Sequence, residues 1–475
     1  MKPTIVLYQQ FSVPYFGILS LIGRLRSAGH DPAVVVASLE DDPEQAVARL
    51  RPDIVGISVM SPEHTWLSRT AAALRRLLPE ATIVVGGIHA VLYPEEVLGI
   101  PEVDLVCTGD GEEVLTAVAQ AAGRPRPEVH ALAGLGYRDG TGAARINTRA
   151  RLVEYAPAVI EDRQVYFDRY PVLARDTSQR FISSRGCPYQ CSFCYNDTLR
   201  ELFRGAGNYI RRKDAANLVE EIGRVTRGHR VEAVFFMDDL FTMDKEWLRG
   251  FLALYRKEIG VPFVCTTRAN ILDDERAALL AGAGCRTVSY GIESGNERIR
   301  KDVLRKDVTD EAIVRCGRTL RKHGLKVQTT NMFCLPGETP GDALRTIDLN
   351  VQAGTDYAFA SLLLPFPRTA IAEHCIREGY LPRDYSIKDL PESFMTRSIL
   401  ALPDKEIIIN VQRLSYLFIR YPRIGARLRW LVRQVRLRWA YDLLFELSNF
   451  LRHKGERGIS FLSAFRYAWR MRKYF

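Results

Sequence analysis

The chain has 475 residues, enough for two or three domains that each bury a sizeable core. Its 47% hydrophobic and 26% charged content is ordinary for a soluble globular protein, and no apolar run reaches the roughly 18 residues of a membrane-spanning helix. The net charge of +10 is carried by the tail: residues 411–475 hold fifteen Lys or Arg against three Asp or Glu, so the rest carries −2 and gives no reason to invoke nucleic acid.

The start, MKPTIVLYQQFSVPYFG, lacks a basic segment followed by a long apolar one, so no secretory signal is expected. Residues 4 to 122 alternate short β-branched runs (TIVLY, AVVVA, DIVGISV, TIVVG, DLVC) with helical patterns such as GILSLIGRLRSAG and HTWLSRTAAALRRLL. Apolar strands alternating with helices predict a parallel sheet covered on both faces, a doubly wound α/β domain that binds ligands at its strands' carboxyl ends. Residues 123 to 180 break the rhythm, with a hairpin expected around Asp139-Gly140. The alternation then resumes with RFISSR, VEAVFFM, PFVCTT, RTVSYG, KVQTTNMFC and DYAFASLLL. Six such units approximate a partial (β/α)6 TIM barrel, whose chemistry belongs at its carboxyl-end loops. Beyond about residue 385 the chain reads as helical, with a break at Pro422. The expected division is 1–125, 126–178 as linker with hairpin, 179–385 and 386–475.

Just after the first barrel strand stands GCPYQCSFCYND, with Cys187, Cys191 and Cys194 in eight residues. The chain's nine cysteines, six of them scattered singly, do not form a disulfide framework, and a reducing cytoplasm fits best. Structural zinc wants four ligands, usually as two nearby pairs, and no fourth Cys or His is adjacent. A cubane iron–sulfur cluster uses four corners, so three local thiolates would leave one iron open. Plain burial of the three cysteines is the remaining alternative.

This C-x3-C-x2-C loop, with Phe193 before its last cysteine, resembles the radical S-adenosylmethionine (SAM) superfamily. The resemblance implies a [4Fe-4S] cluster on Cys187, Cys191 and Cys194, with the open iron chelating the amino and carboxylate groups of SAM. It implies one-electron cleavage of SAM to a 5′-deoxyadenosyl radical, fed by a reductant such as flavodoxin or ferredoxin. Phe193 would then pack near the adenine. Matching residues end successive strands: Asp238 and Asp239 for the SAM ammonium, Arg268 for a carboxylate, Glu293 and Ser294 for a ribose or carboxylate, and Gly337 beneath the adenine. Each has a plainer alternative. The aspartates could cap a helix, Arg268 and Glu293 could pair with each other, and Pro336-Gly337 could be only a turn.

The first domain, through PDIVGISVMSPEH, VVGGIHAVLYPEEVL and VDLVCTGDGEEVL, resembles the cobalamin-binding domain of the class B branch of that superfamily. The resemblance implies that Ser58, Met60, Gly86, Gly87, Gly109 and Gly111 line cobalamin. The D-x-H-x-x-G motif that supplies a cobalt-ligating histidine elsewhere is absent, as it often is in class B. His64 and His89 are expected to be solvated or capping. Arg368, in PFPRT, stands where relatives commonly show Gly.

What the resemblance implies for activity is C-methylation of an unactivated carbon, by way of a substrate radical and methylcobalamin. The alternative is a non-methylating rearrangement, ring formation or oxidation, with or without cobalamin. No individual catalytic side chain emerges from the sequence. In the tail, Leu428, Leu431, Val432, Val435 and Trp439 share one arc of a helical wheel, flanked by Arg427, Arg429, Arg433, Arg436 and Arg438. Such a stripe packs on the barrel in the favoured reading. In the second it lies at a membrane, and a lipid-like substrate is compatible with that.

Overall fold

The computed structural model describes residues 2–122, 126–155, 161–391, 395, 397–434 and 438–457. Packing divides the chain into two units, residues 1–177 with 199–231, and residues 178–198 with 232–475.

The first unit is built on a seven-stranded sheet of order β2-β1-β3-β4-β5-β6-β7. The strands are β1 (Ile5–Gln9), β2 (Ala33–Val36), β3 (Ile54–Ser58), β4 (Thr82–Gly86), β5 (Leu105–Cys107), β6 (Leu135–Arg138) and β7 (Ala144–Ile146). The first five run parallel. The hairpin expected at Asp139-Gly140 forms, and its strands join the sheet antiparallel beside β5. Asp139 shapes its turn by accepting from the backbone N–H groups of Thr141 (2.9 Å) and Ala143 (3.1 Å). Helices of this unit include α1 (Phe16–Ser27), α2 (His64–Leu77), α3 (Ile88–Leu92), α4 (Gly111–Gln120) and α5 (Ala215–Gly228). Val6, Val35, Val55, Ile57 and Val85 of the strands pack with Leu67, Ala71 and Leu74 of α2 in one buried cluster. Each larger side chain so buried contributes roughly 1.5–3 kcal/mol. Because β2 and β3 flank β1, the chain reverses direction across the sheet there, and the carboxyl ends of β1 and β3 open a crevice.

The second unit holds six parallel strands in sequence order across the sheet, a curled (β/α)6 half-barrel. They are β8 (Ser178–Phe181), β9 (Ala233–Phe236), β10 (Phe263–Thr266), β11 (Cys285–Glu293), β12 (Lys326–Phe333) and β13 (Tyr357–Leu362). The following helices are α6 (Lys245–Glu258), α7 (Asp274–Gly282), α8 (Asp310–Lys322), α9 (Pro340–Ala353) and α10 (Ala370–Arg377). The start of α9 is written in ETPGD: Thr339 and Asp342 form a capping box around Pro340, and Gly354 ends the helix at φ 69°.

The C-terminal region breaks at Pro422 as expected, and its described residues form α11 (Lys405–Arg420), α12 (Pro422–Leu428) and, after a 3-10 turn over Arg429–Arg433, α13 (Arg438–Arg457). Pro422 opens α12, since it cannot continue α11. Ile408, Ile409, Val411, Leu414 and Phe418 of α11 pack with Phe333, Ala343, Ile347, Ala360 and Leu362 of the barrel. The single amphipathic stripe expected from the helical wheel is therefore corrected. Leu428, Leu431 and Val432 turn inward onto that cluster, whereas Trp439 is 70% exposed. Val435, Arg436 and Leu437 lie outside the described residues.

Candidate cofactor sites

In the second unit the cysteine loop follows β8. Cys191 is buried, and Cys187 and Cys194 are half-buried. Ser192 stitches the loop down: its hydroxyl donates to the Val303 carbonyl at 2.6 Å and its N–H to that of Leu304 at 3.0 Å, while its own carbonyl accepts from Ile371 of α10 at 2.9 Å. Val303 ends a π-helical turn, Ile299–Val303, a feature that often accompanies functional sites. Phe193 packs at the edge of a cluster that includes Leu304, Leu335, Leu363 and Ile371.

The surroundings suit thiolates. The Arg268 guanidinium donates toward Cys191 Sγ at 3.6 Å and stacks 3.9 Å from the centre of the Tyr189 ring. Asn196 Nδ2 stands 3.5 Å from Cys194 Sγ. N–H groups aimed at sulfur stabilise its negative charge. Burial, with charges on Asp239 and the other two cysteines adding to it, pushes the Cys187 thiol up to about 11. Thiolates at this buried site would need a compensating positive centre, which a bound metal cluster supplies. Among the described residues no group of three or more His, Cys, Asp and Glu gathers tightly enough for a single metal ion.

The remaining predicted residues divide by function. Asp238 is buried and already engaged, accepting from the Ser183 N–H (3.0 Å) and hydroxyl and from the Ser184 hydroxyl (2.6 Å). It anchors the strand end ahead of the cysteines. Asp239 keeps a raised pKa from burial, partly offset by a hydrogen bond with Asn196. Arg268 and Glu293 do not pair with each other. Glu293 instead meets Lys306 at 2.7 Å, both buried, and Gly291 makes room for this, since a Cβ there would lie 1.9 Å from Glu293 Oε1. Glu293 itself is held at φ 66°, a left-handed conformation that costs a non-glycine residue about 1 kcal/mol or more. The fully buried Arg300 fixes this corner by donating to the carbonyls of Ser294 (2.6 Å) and Val308 (2.9 Å) and pairing with Asp310. Gly337 turns at φ 73° with open space where a Cβ would go. Arg368 has φ 66°, which explains why glycine suits that position, and its carbonyl accepts from the Thr198 hydroxyl at 2.9 Å.

In the first unit Ser58 ends β3 and Met60 follows it, 39% exposed. Gly86 ends β4, and Gly87 follows at φ 92°. A Cβ on Gly87 would lie 2.6 Å from the Val59 carbonyl oxygen, so only glycine lets the two strand ends approach. Gly109 and Gly111 bracket Asp110, which is held by Arg211 and by the Val153 N–H. Gln9 pins the loop after β1 by donating to the carbonyls of Phe11 and Val13. Tyr15, on that loop, donates to Glu63 at 2.5 Å. Glu63 also accepts from the Met60 N–H, and burial lifts its pKa to about 7.

The histidines correct an expectation. His89 is neither solvated nor capping: it is 2% exposed, its Nδ1 is buried without a hydrogen bond, and burial beside His64 lowers its pKa to about 4. His64 engages the Ser61 carbonyl through Nδ1 (3.2 Å) and the Thr65 hydroxyl through Nε2 (3.3 Å). His64 is engaged through both ring nitrogens and His89 is buried, so neither is an exposed, free imidazole. With glycine backbone and an exposed Met60 at two neighbouring strand ends, the unit fits a flat macrocycle.

Comparison with known proteins gives the same order of two domains. Residues 4–119 match the B12 binding domain family and residues 181–349 the radical SAM superfamily. An uncharacterised methyltransferase of Pyrococcus horikoshii is 25% identical over 381 residues, covering 78% of this chain and 80% of its own. The anaerobic magnesium-protoporphyrin IX monomethyl ester cyclase of Rubrivivax gelatinosus is 26% identical over 364 residues, 73% of this chain but only 63% of the cyclase. The structure of the radical SAM methyltransferase TsrM of Kitasatospora setae shares the fold, with a TM-score of 0.63 over 78% of this chain and 76% of its own at 20% identity. The class defined by a B12 binding domain ahead of a radical SAM barrel is that of the cobalamin-dependent radical SAM enzymes. This chain belongs to it, and its cofactors are a [4Fe-4S] cluster, SAM and cobalamin.

Proposed function

We propose that the protein is a C-methyltransferase acting on an unactivated carbon of a small molecule, with residues 1–125 holding cobalamin and 179–385 the cluster and SAM. The order of the two family matches carries this reading: a B12 binding domain over 4–119, then a radical SAM region over 181–349 that contains the three-cysteine loop. When bound, the cluster and SAM supply radical chemistry and cobalamin supplies the methyl group.

The chain's own residues bind and orient. Cys187, Cys191 and Cys194 would ligate the cluster, with Arg268 and Asn196 donating toward two of the sulfurs. Asp239 is the acceptor left for the SAM ammonium, because Asp238 is spent on Ser183 and Ser184. Phe193 and Gly337 would flank the adenine, and Glu293 and Ser294, held by Lys306 and Arg300, would meet the ribose. Ser58, Met60, Gly86, Gly87, Gly109 and Gly111 would line the corrinoid. The named cyclase relative makes ring formation the second reading. An electron donor such as flavodoxin or ferredoxin, a cytoplasmic location, and peripheral membrane contact through the C-terminal region complete the proposal.

Anaerobic reconstitution tests it: the protein should gain iron–sulfur absorbance, retain a corrinoid and release 5′-deoxyadenosine under reductant. Cys191→Ala should abolish deoxyadenosine formation, and turnover surviving that change would sink the cluster assignment. A corrinoid-free preparation that still cleaves SAM would leave the second reading standing.

A further inference from the structure

Between Ile407 and Tyr441 the chain carries eight arginines and no Asp or Glu. Two of the eight serve the fold: Arg413 pairs with Asp442 and Arg429 with Asp348. Arg423, Arg427 and Arg433 are exposed and, among the described residues, are ion-paired with no carboxylate. Arg420, also exposed, lies 5.7 Å from the centre of the Tyr421 ring.

Apolar side chains stand among these cations. Tyr421 is 50% exposed, Ile424 52% and Trp430 59%. The opposite side of the segment is anchored: a Cβ on Gly425 of α12 would lie 2.8 Å from Phe418 Cα, and Leu428, Leu431 and Val432 join the barrel's cluster. At 100° per residue Arg423 and Arg427 point away from Gly425, with Ile424 beside them. This short segment is thus fastened to the fold by one face and presents arginine and an aliphatic side chain on the other, with the exposed Tyr421 and Trp430 just before and after the helix. On α13, Trp439, Leu443 and Leu447 also face outward, but exposed Glu446 sits among them, so that row adds apolar surface without positive charge.

We propose that residues 420–433 dock the protein on an anionic phospholipid surface. The inference deepens the membrane contact named above by assigning the surface and its lipid chemistry. Phosphate groups meet the guanidiniums, and Ile424, Trp430 and Tyr421 enter the boundary between headgroups and acyl chains, where aromatic rings with a polar edge settle. A nucleic acid would satisfy the arginines and stack on the rings but leave Ile424 wet, as it would Leu443 and Leu447. A second copy in a symmetric dimer would set this arginine patch against itself. No described helix is long and apolar enough to cross a membrane, so the contact is peripheral. Each cation close to an anionic leaflet strengthens binding about fivefold.

The test is flotation of the full chain with phosphatidylcholine vesicles, with and without phosphatidylglycerol. The protein should float only with the anionic vesicles and be released by salt. Arg423→Gln/Arg427→Gln/Arg433→Gln should weaken binding about a hundredfold, and Ile424→Ser/Trp430→Ser should weaken it while keeping its salt dependence. Both variants alter exposed side chains, and unchanged thermal melts would confirm that they fold. Equal flotation on neutral vesicles, full binding by the triple variant, tighter capture of a labelled oligonucleotide than of vesicles, or dimerisation that depends on Trp430 would each overturn the proposal. Flotation needs neither cofactor nor turnover, so its failure is separate from any failure of SAM cleavage.

Discussion

Glu63 and His89 lie in the same unit, and burial moves their pKa values in opposite directions. Glu63 titrates at about 7 in the fold against an ordinary 4.5. Between those values the folded state keeps a proton that the unfolded chain has lost, so stability falls by about 3 kcal/mol as pH rises through that window. His89 titrates at about 4 against an ordinary 6.5. There the unfolded chain binds the extra proton, so stability is lost by a similar amount, about 3 kcal/mol, as pH falls from 6.5 to 4. The two slopes nearly cancel in the native chain. Glu63→Gln should expose the histidine's slope, with stability rising between pH 4 and 6.5. His89→Leu should expose the carboxylate's, with stability falling between 4.5 and 7. Amide exchange in β1 and β3 of the full chain reads both, and flat profiles in the two variants would mean that burial does not govern either group.

At the scale of elements, the corner after β11 shows how a strand end becomes a binding surface. Glu293 is strained, Gly291 leaves space for its pair with Lys306, and Arg300 ties Ser294 back to Val308 and Asp310. Arg300→Leu would strand the buried carbonyls of Ser294 and Val308, at about 1–3 kcal/mol each. The expected result is SAM binding weakened by about tenfold or more, read by equilibrium dialysis, with iron–sulfur absorbance retained because Ile371 of α10 also ties down the cysteine loop through the Ser192 carbonyl. YGIESGNE marks this corner in the sequence because the motif is local. Arg300 and Lys306 do not show there, since their partners meet only after the chain has passed through the π-helical turn. Asp238 and Asp239 were indistinguishable as neighbours in FFMDDLF. They diverge because one carboxylate reaches the serines after β8 and the other faces Asn196 and the cysteines. His89 was hidden for the same reason: it is buried against His64 and the backbone of Val59, which lie about 25 to 30 residues earlier in the chain.

For the molecule as a whole, periodicity made most of the architecture legible. Buried parallel strands are near-continuous β-branched runs, so both sheets and their helices could be read in order from Thr4 to Leu362. The C-terminal region could not be read that way, because one amphipathic period fits a membrane, a partner or the protein's own core equally well. Packing decides among them, and it assigns α11 to the core: Ile408, Ile409, Val411, Leu414 and Phe418 cover β13 and α9. Removing that helix would bare several large apolar side chains, each worth roughly 1.5–3 kcal/mol when buried. A chain ending at Asp404 should therefore aggregate or lose the barrel's cooperative melt rather than yield a soluble protein freed of its basic tail. A chain ending at Arg457 keeps α11 to α13 and should keep the barrel's cooperative melt. Scanning calorimetry of the two truncations separates these outcomes. A stable, cofactor-loading protein that ends at residue 404 would show that α11 is an appendage, and that β13 and α9 need no such cover.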